Sequence, residues 1–379
     1  MKNVLILMSA NSFYGAEQVL FEYLKNNNQH KFFIYTSDVV KKVIDSISNI
    51  EDVTVVSSAA MRVRSIRRKP MLSLSYILRN LFVIHRIVRE NCIDVLYGNN
   101  TIDMVYVMLY RYFFCRSIGT ICHVHDIVQR SMYHKMIRSF EKYIDAFITP
   151  SLAGKKSFVD DVADSNKIHV VYNGCSPNEI HDDVWNMPSV TSKDDGKKIL
   201  LFIGQICERK RVDLFIQIVS TLNRNYAEKY VGYIVGGMEK NNNYVEKFKD
   251  DLNQSNIQYF GQVEHDRLYV EFFSRAAALI LTSDRDPLPT VILEAMAVNV
   301  PVCARTVDGV PEMIEDNVSG VLWDYDASVE TIAERIHTTL SDEDKVKVLK
   351  LNALKRIKEK FNPEKKKNFI NKLIDEIHG

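Results

Sequence analysis

Short apolar runs recur along this chain, separated by polar stretches long enough to form helices. The first series is VLILM (4–8), KFFIYTS (31–37), VTVVSS (53–58), IDVLYGNN (93–100), GTICHVHD (119–126) and AFITPS (146–151). Near-continuous β-branched and aliphatic runs predict strands covered on both faces, and helix-length intervals between them predict βαβ units of a parallel sheet. The rhythm then repeats in KKILLFIGQ (197–205), YVGYIVGG (230–237), IQYFGQV (257–263), AALILTS (277–283), VPVCAR (300–305) and GVLW (320–323). Between the series lies NGCSPNEIHDDVWNMPSVTSKDDGKK (173–198), rich in polar and turn-forming residues, which reads as the seam between two doubly wound α/β domains. In open parallel sheets ligands collect beyond the carboxyl ends of the strands, so a cleft between the domains is the expected site.

Composition narrows the class. With 379 residues, 46% of them hydrophobic, the chain can bury more than one core. The N-terminus runs from Met1-Lys2-Asn3 straight into a strand-like segment, so no secretory signal is expected. The longest uncharged apolar run, Met104 to Tyr110, is too short to span a bilayer. Six scattered cysteines without a C-x-x-C pair predict neither a zinc site nor a disulfide framework, and reduced thiols in the cytoplasm are expected.

Charge is unevenly placed. Residues 1–180 hold 22 Lys+Arg against 16 Asp+Glu, whereas the remainder holds 27 against 32. The basic excess concentrates in Arg62, Arg64, Arg67, Arg68, Lys69, Arg79, Arg86 and Arg89, and from Leu74 onward apolar residues recur at 3–4 spacing between them. Two readings stand side by side: a solvated surface helix preceded by a basic loop, or a seat for an anionic membrane or a phosphate-bearing lipid acceptor. Nucleic acid is not expected as a partner, because no aromatic stacking pattern accompanies the charge.

The stretch SDRDPLPTVILEAMAVNVPVCARTVDGVPEMI (283–314) concentrates the candidate chemistry. A strand ends at Ser283, a loop bounded by Pro287 and Pro289 follows, and TVILEAMAV reads as a helix with Val291, Ala295 and Val298 facing inward. A helix that begins near Thr290 presents unpaired backbone N–H groups and the positive end of its dipole, which suit a phosphate. Glu294, one turn in, and Asp286, in the loop, could accept hydrogen bonds from sugar hydroxyls; the alternatives are a loop-structuring aspartate and an exposed helix acid.

This stretch resembles the signature of retaining glycosyltransferases of the GT-B fold, glycosyltransferase family 4, in which an acid is followed after seven residues by the Glu of LEAMA. NSFYGAEQVL, ITPS, VVYNG, FIGQICERKRVDLFI, the run through Gly309, Pro311, Glu312 and Gly320, and NPEKKKNFINKLIDEI resemble further family segments in the same order. The resemblance implies two Rossmann-like domains facing each other across a cleft: an acceptor-binding domain over 1–180, a nucleotide-sugar-binding domain over 181–362, and a terminal helix, 363–379, returning to the first. It implies that Glu294 holds ribose hydroxyls, that Asp286 touches the donor sugar, and that Thr290 and Val291 offer N–H groups to the diphosphate, with Gly204, Pro287 and Leu288 also lining the donor. Arg209 and Lys210 match the family's phosphate-binding cations, and Gly15 matches a glycine at the first strand-to-helix turn. His125 matches a histidine near the donor sugar, although strand alternation points His123 to the same side.

Three positions depart from the family pattern: Gln205 stands where many relatives have arginine, Pro289 replaces a glycine, and Asp286 replaces a glutamate. The implied activity is transfer of a sugar from a nucleoside diphosphate sugar to an acceptor hydroxyl, with no cofactor and no metal. A lipid-linked glycan of bacterial surface-polysaccharide assembly is the expected acceptor, with peripheral contact at the cytoplasmic membrane. A nicotinamide oxidoreductase is the less favoured reading, since the first turn, SANSFYGAEQ, is not G-x-G-x-x-G. A two-lobed sugar-binding protein without turnover is the other alternative.

Overall fold

The computed structural model describes residues 1–9, 15–25, 27–37, 52–57, 70–127, 132–162, 164–175, 196–227, 229–239, 243–252 and 256–377. They form two compact units, Met1–Asn173 with Pro363–Gly379, and Gly174–Asn362. The first unit contains β1 (Asn3–Met8), α1 (Gly15–Leu24), β2 (Lys31–Thr36), β3 (Val53–Ser57), α2 (Pro70–Glu90), β4 (Val95–Gly98), α3 (Thr101–Phe113), β5 (Gly119–His123), α4 (Met132–Phe140), β6 (Ala146–Thr149), α5 (Leu152–Phe158) and β7 (Ile168–Val170). The second contains β8 (Lys198–Ile203), α6 (Val212–Asn225), β9 (Tyr230–Val235), α7 (Asn243–Asp251), β10 (Ile257–Tyr259), β11 (Ala276–Leu281), α8 (Thr290–Ala297), β12 (Val302–Arg305), α9 (Val310–Met313), β13 (Val321–Trp323), α10 (Val329–Ser341) and α11 (Glu343–Lys360). The final helix, α12 (Pro363–Glu376), belongs to the first unit.

Every described pairing within the two sheets is parallel. Their orders are β3-β2-β1-β4-β5-β6-β7 and β10-β9-β8-β11-β12-β13 among the described residues. Each order reverses once, between β1 and β4 and between β8 and β11, the mark of a doubly wound sheet. Side-chain alternation divides β1 between two cores. Val4, Ile6 and Met8 join Leu20 and Leu24 of α1, whereas Leu5 and Leu7 join Ile84 of α2 and Met104 and Val107 of α3. In the second unit Leu200, Phe202, Ile234 and Ile280 meet Phe215, Ile218 and Leu222 of α6 and Ile332 and Ile336 of α10.

Helix α12 completes the first unit. Ile370, Leu373, Ile374 and Ile377 enter the core that covers the Val4/Ile6 face, each large side chain contributing about 1.5–3 kcal/mol on burial. A methyl group added at Gly119 would lie 2.6 Å from Ile377 Cγ2, so the end of this helical segment requires a residue without a side chain there. Polar groups fix the register. Buried Asn371 accepts hydrogen bonds from Tyr23 Oη (2.8 Å) and Asn27 Nδ2 (3.1 Å), and donates to Asn27 Oδ1 (3.1 Å) and Gln29 Oε1 (3.0 Å). Lys2 Nζ donates to the carbonyls of Ile374 (2.9 Å) and Asp375 (3.3 Å), acceptors that the helix end leaves unpaired.

Replacing Asn371 with leucine keeps the volume but strands the Asn27 and Tyr23 polar groups. The variant should lose roughly 2 kcal/mol or more of stability in a urea titration; a loss under about 0.5 kcal/mol would show that the polar clasp is dispensable.

Candidate functional site

The order of the second sheet reverses between β8 and β11, so the loops leaving their carboxyl ends are neighbours. Three backbone-anchored contacts join them, and a fourth ties the loop after β11 to Asp308, which follows β12. The Asp284 N–H donates to Arg209 O (2.8 Å), Thr282 Oγ1 to Lys210 O (3.0 Å), Arg209 Nη1 to Arg285 O (2.8 Å) and the Asp286 N–H to Asp308 Oδ2 (2.9 Å). Across this seam Lys210 Nζ pairs with Asp286 Oδ2 at 2.5 Å, and Arg209 Nη1 stands 3.8 Å from the same oxygen. The Lys210 and Asp286 side chains are 14% and 8% exposed, whereas that of Arg209 is 50% exposed. One cation is therefore held and the other is available. Gly204 lies beneath the Lys210 stem, which is 3.7 Å from where a β-carbon would be.

Arg211 explains how the two cations are presented. It closes the short turn Glu208–Lys210 in the left-handed region (φ 51°, ψ 49°), a conformation costing about 1–2 kcal/mol for a residue with a side chain. Its guanidinium grips Asp213 through Nε to Oδ1 (3.0 Å) and Nη2 to Oδ2 (3.0 Å), and reaches Asp284 at 3.3 Å. Burial favours protonation of Asp213, but hydrogen bonds from Arg211 and Tyr244 outweigh it and hold the carboxyl below its ordinary range. Asp284 is also paired with Arg305, and Asp308 with Arg285 at 3.2 Å.

Helix α8 starts at Thr290 with Pro289 as its N-cap, and no side chain caps it. The first-turn N–H groups of Thr290 and Val291 have no acceptor within the helix by geometry. Val291 through Ala297 are all buried, so the helix is enclosed on every side rather than on the one stripe that its sequence predicts. It packs against β12 and α11. Glu294, 9% exposed, lies with Oε1 3.5 Å from His265 Nε2, which places it among protein groups and not on an open helix face. Pro287 is half-buried and Leu288 buried in the intervening loop. The second unit thus gathers Gly204, Arg209, Lys210, Asp286, Pro287, Leu288, Thr290, Val291 and Glu294 at one sheet edge. Two cations and a helix N-terminus suit an anion, and the two carboxylates suit neighbouring hydroxyl groups. Among the described residues no group of three or more His, Cys, Asp or Glu is placed to hold a metal ion.

Gly15 and His125 belong to the first unit. Gly15 opens α1. His125 Nε2 donates to Asn99 Oδ1 (3.3 Å), leaving Nδ1 of the neutral ring as an acceptor, and its ring stacks on His123 at 3.9 Å. Alternation left these histidines equivalent, but burial separates them: His123 is 2% exposed and bound to Tyr97 Oη through Nδ1 (2.7 Å), whereas His125 retains accessible surface. Burial, reinforced by the charge of Lys366, pushes the His125 pKa down to about 3. Arg62, Arg64, Arg67 and Arg68 lie outside the described residues. His265, Asp284, Arg305 and Asp308 were not signalled by sequence spacing, since each joins the site through tertiary contacts.

A folded pKa below the unfolded one makes His125 contribute fully above about pH 6.5 and lose that contribution as pH falls towards 3, by about 2 kcal/mol at pH 5. His125→Asn should therefore flatten the decline in urea midpoint between pH 7 and pH 5, and an unchanged slope would contradict this assignment.

Residues 183–356 match the family model described as glycosyl transferases group 1, and residues 27–179 match that of glycosyltransferase family 4. An uncharacterized glycosyltransferase of Methanocaldococcus jannaschii is 27% identical over 203 residues, 52% of this chain and 51% of that protein. The GalNAc-alpha-(1->4)-GalNAc-alpha-(1->3)-diNAcBac-PP-undecaprenol alpha-1,4-N-acetyl-D-galactosaminyltransferase of Campylobacter jejuni is 27% identical over 190 residues, 50% of this chain and 51% of that enzyme. The chain spans about half the length of the curated relatives it matches. Among solved structures, Anabaena HepE in complex with UDP and glucose superposes with a TM-score of 0.79 at 17% identity, covering 100% of both chains. The two family models together account for most of the sequence, and the chain belongs to glycosyltransferase family 4, with the GT-B fold.

Proposed function

We propose that the protein transfers a sugar from a nucleoside diphosphate donor to an acceptor hydroxyl, with retention of anomeric configuration and without a metal ion. The supporting observation is the meeting of Arg209, Lys210, the start of α8, Asp286 and Glu294 where the second sheet reverses its order. The diphosphate would take the N–H groups of Thr290 and Val291 and the charges of Arg209 and Lys210. Glu294 would accept from ribose hydroxyls and Asp286 from the sugar, with Gly15 and His125 serving the same reaction from the first unit.

The chemistry follows from charge. As the bond between the anomeric carbon and the phosphate oxygen breaks, negative charge grows on the phosphate, where each charge-assisted contact contributes about 1.5–3 kcal/mol if it strengthens in the transition state. Lys210 is then offered a second partner beside Asp286. The acceptor oxygen bonds to the anomeric carbon on the face that the phosphate leaves, and the acceptor proton passes to a phosphate oxygen. No pair of carboxylates working as acid and nucleophile is required.

For the acceptor we infer a lipid-linked glycan in bacterial surface-polysaccharide assembly, reached from the cytoplasmic side by peripheral contact with the membrane. The diphosphate-undecaprenol named in the Campylobacter relative supports this class of acceptor. So does the outer face of α2, where Leu78 (49% exposed) and Phe82 (63%) alternate with exposed Arg79, Arg86 and Arg89. Among the described residues no helix is long and apolar enough to cross a membrane.

A panel of nucleoside diphosphates and their sugars should raise the melting temperature selectively, with Lys210→Met and Glu294→Gln each removing most of the shift, and transfer should persist in EDTA. No stabilisation by any donor, or loss of turnover in chelator restored by a divalent cation, would contradict the donor scheme or its metal independence respectively. Serine at Arg62, Arg64, Arg67 and Arg68 should reduce sedimentation with anionic liposomes; unchanged association would remove these arginines from the membrane contact.

A further inference from the structure

Lys366, in the first turn of α12, is a buried cation with a single hydrogen-bond partner among the described residues. It is 7% exposed, and its Nζ donates to Asn173 Oδ1 at 3.2 Å. Among the described residues it forms no ion pair within 4 Å, although an ammonium has three N–H groups to place and burying one unpaired is costly. Its neighbours are short of partners too. His123 Nε2 and Asn99 Nδ2 belong to residues 2% and 1% exposed, and neither atom has a hydrogen-bond partner among the described residues. Asn99 holds His125, His125 stacks on His123, and Lys366, held at Asn173 past the end of β7 on the same sheet, adds a charge that disfavours protonation of both rings.

The unmet capacity is mainly that of donors. Asn99 Nδ2 and the protonated Lys366 Nζ can only donate, and His123 Nε2 donates when Tyr97 Oη gives its proton to Nδ1. Sugar hydroxyls would satisfy the hydrogen bonds but leave the buried charge uncompensated. An oxyanion supplies both acceptors and charge. Asn99 follows β4 and His123 ends β5, which puts them at the carboxyl edge where a doubly wound sheet receives ligands, and His125 adds accessible surface there.

We propose that Lys366, Asn99 and His123 form an oxyanion subsite of the first unit that receives a phosphoryl group of the acceptor. It rests on the transferase reading, in which the acceptor belongs to this unit, and all three of its residues belong to the first unit. Burial pushes the Lys366 ammonium down to about 7, with Glu22 of α1 acting in the opposite direction. Asn173, after β7, is its hydrogen-bond partner, and His123 at the end of β5 and His125 just beyond it are the other titratable groups that feel its charge. Anion affinity should therefore fall as pH rises above about 7.

The test uses the full chain carrying Arg209→Met and Lys210→Met, which removes the phosphate-binding cations of the second unit. Glucose 1-phosphate and a short-chain polyprenyl diphosphate in detergent are titrated by calorimetry. Saturable binding is expected, weakened at least about tenfold by Lys366→Met and by Asn99→Asp separately, as loss of a charge-assisted hydrogen bond implies. Binding of glucose 1-phosphate assigns a soluble phosphate ester, and binding of the polyprenyl diphosphate alone assigns a lipid-linked one. Absence of binding by both probes, or binding that neither substitution weakens, overturns the proposal. Should Lys366→Met fail to fold, Asn99→Asp decides. Nucleoside diphosphate binding measured in parallel on the unsubstituted chain reports the donor site, so its failure would sink the donor reading and leave this one standing.

Discussion

The ion pair between Lys210 and Asp286 binds the loop after β8 to the loop after β11, and the candidate donor site is organised around it. It can form only because these strands are neighbours in space although their closest ends in sequence, Ile203 and Ala276, are 73 residues apart, a consequence of the order β9-β8-β11. A buried pair of this kind contributes little net stability, since desolvation offsets most of the attraction. Its consequence is positional. Lys210 is kept against the sheet edge with one partner, so an incoming phosphate meets a cation already in place and loses little to ordering a mobile side chain.

Behind that pair the network is dense. Arg211 bends the backbone into a left-handed turn and is gripped by Asp213, while Asp284 and Asp308 take Arg305 and Arg285. Each aspartate has a cation of its own, which leaves Arg209 half-exposed as the charge turned to solvent. The first unit follows a different logic. Its histidine pair is kept neutral by burial and by Lys366, a residue that arrives from the far end of the chain on α12. The return of α12 to β5 and α1 therefore does more than cover apolar surface: it brings in a buried charge whose field reaches the histidine matched to the family.

Much of the fold was legible because strands covered on both faces must be continuously apolar, and VLILM, KILLFI and AALIL are such runs. Strand β7 escaped because Ile168–Val170 is too short to rise above background. The start of helix α8 at Thr290 is legible in the sequence, but its enclosure is not, since a short helix between sheet and helix layers buries Glu294 along with its apolar neighbours. Of the site residues, Arg209, Lys210, Asp286 and Glu294 could be named from local motifs matched to a family. His265, Asp308 and Lys366 could not, because nothing in their own segments distinguishes a surface charge from one folded into a site. Alternation gave His123 and His125 the same side; only burial separated them.

The central claim is that the pyrophosphate of a nucleotide-sugar rests on the first turn of α8 against Lys210. A crystal structure of the protein with bound nucleoside diphosphate tests it most directly. The account predicts phosphate oxygens within hydrogen-bond distance of the Thr290 and Val291 N–H groups and of Lys210 Nζ, with ribose hydroxyls at Glu294. A diphosphate seated elsewhere, with the Lys210–Asp286 pair untouched, would contradict it.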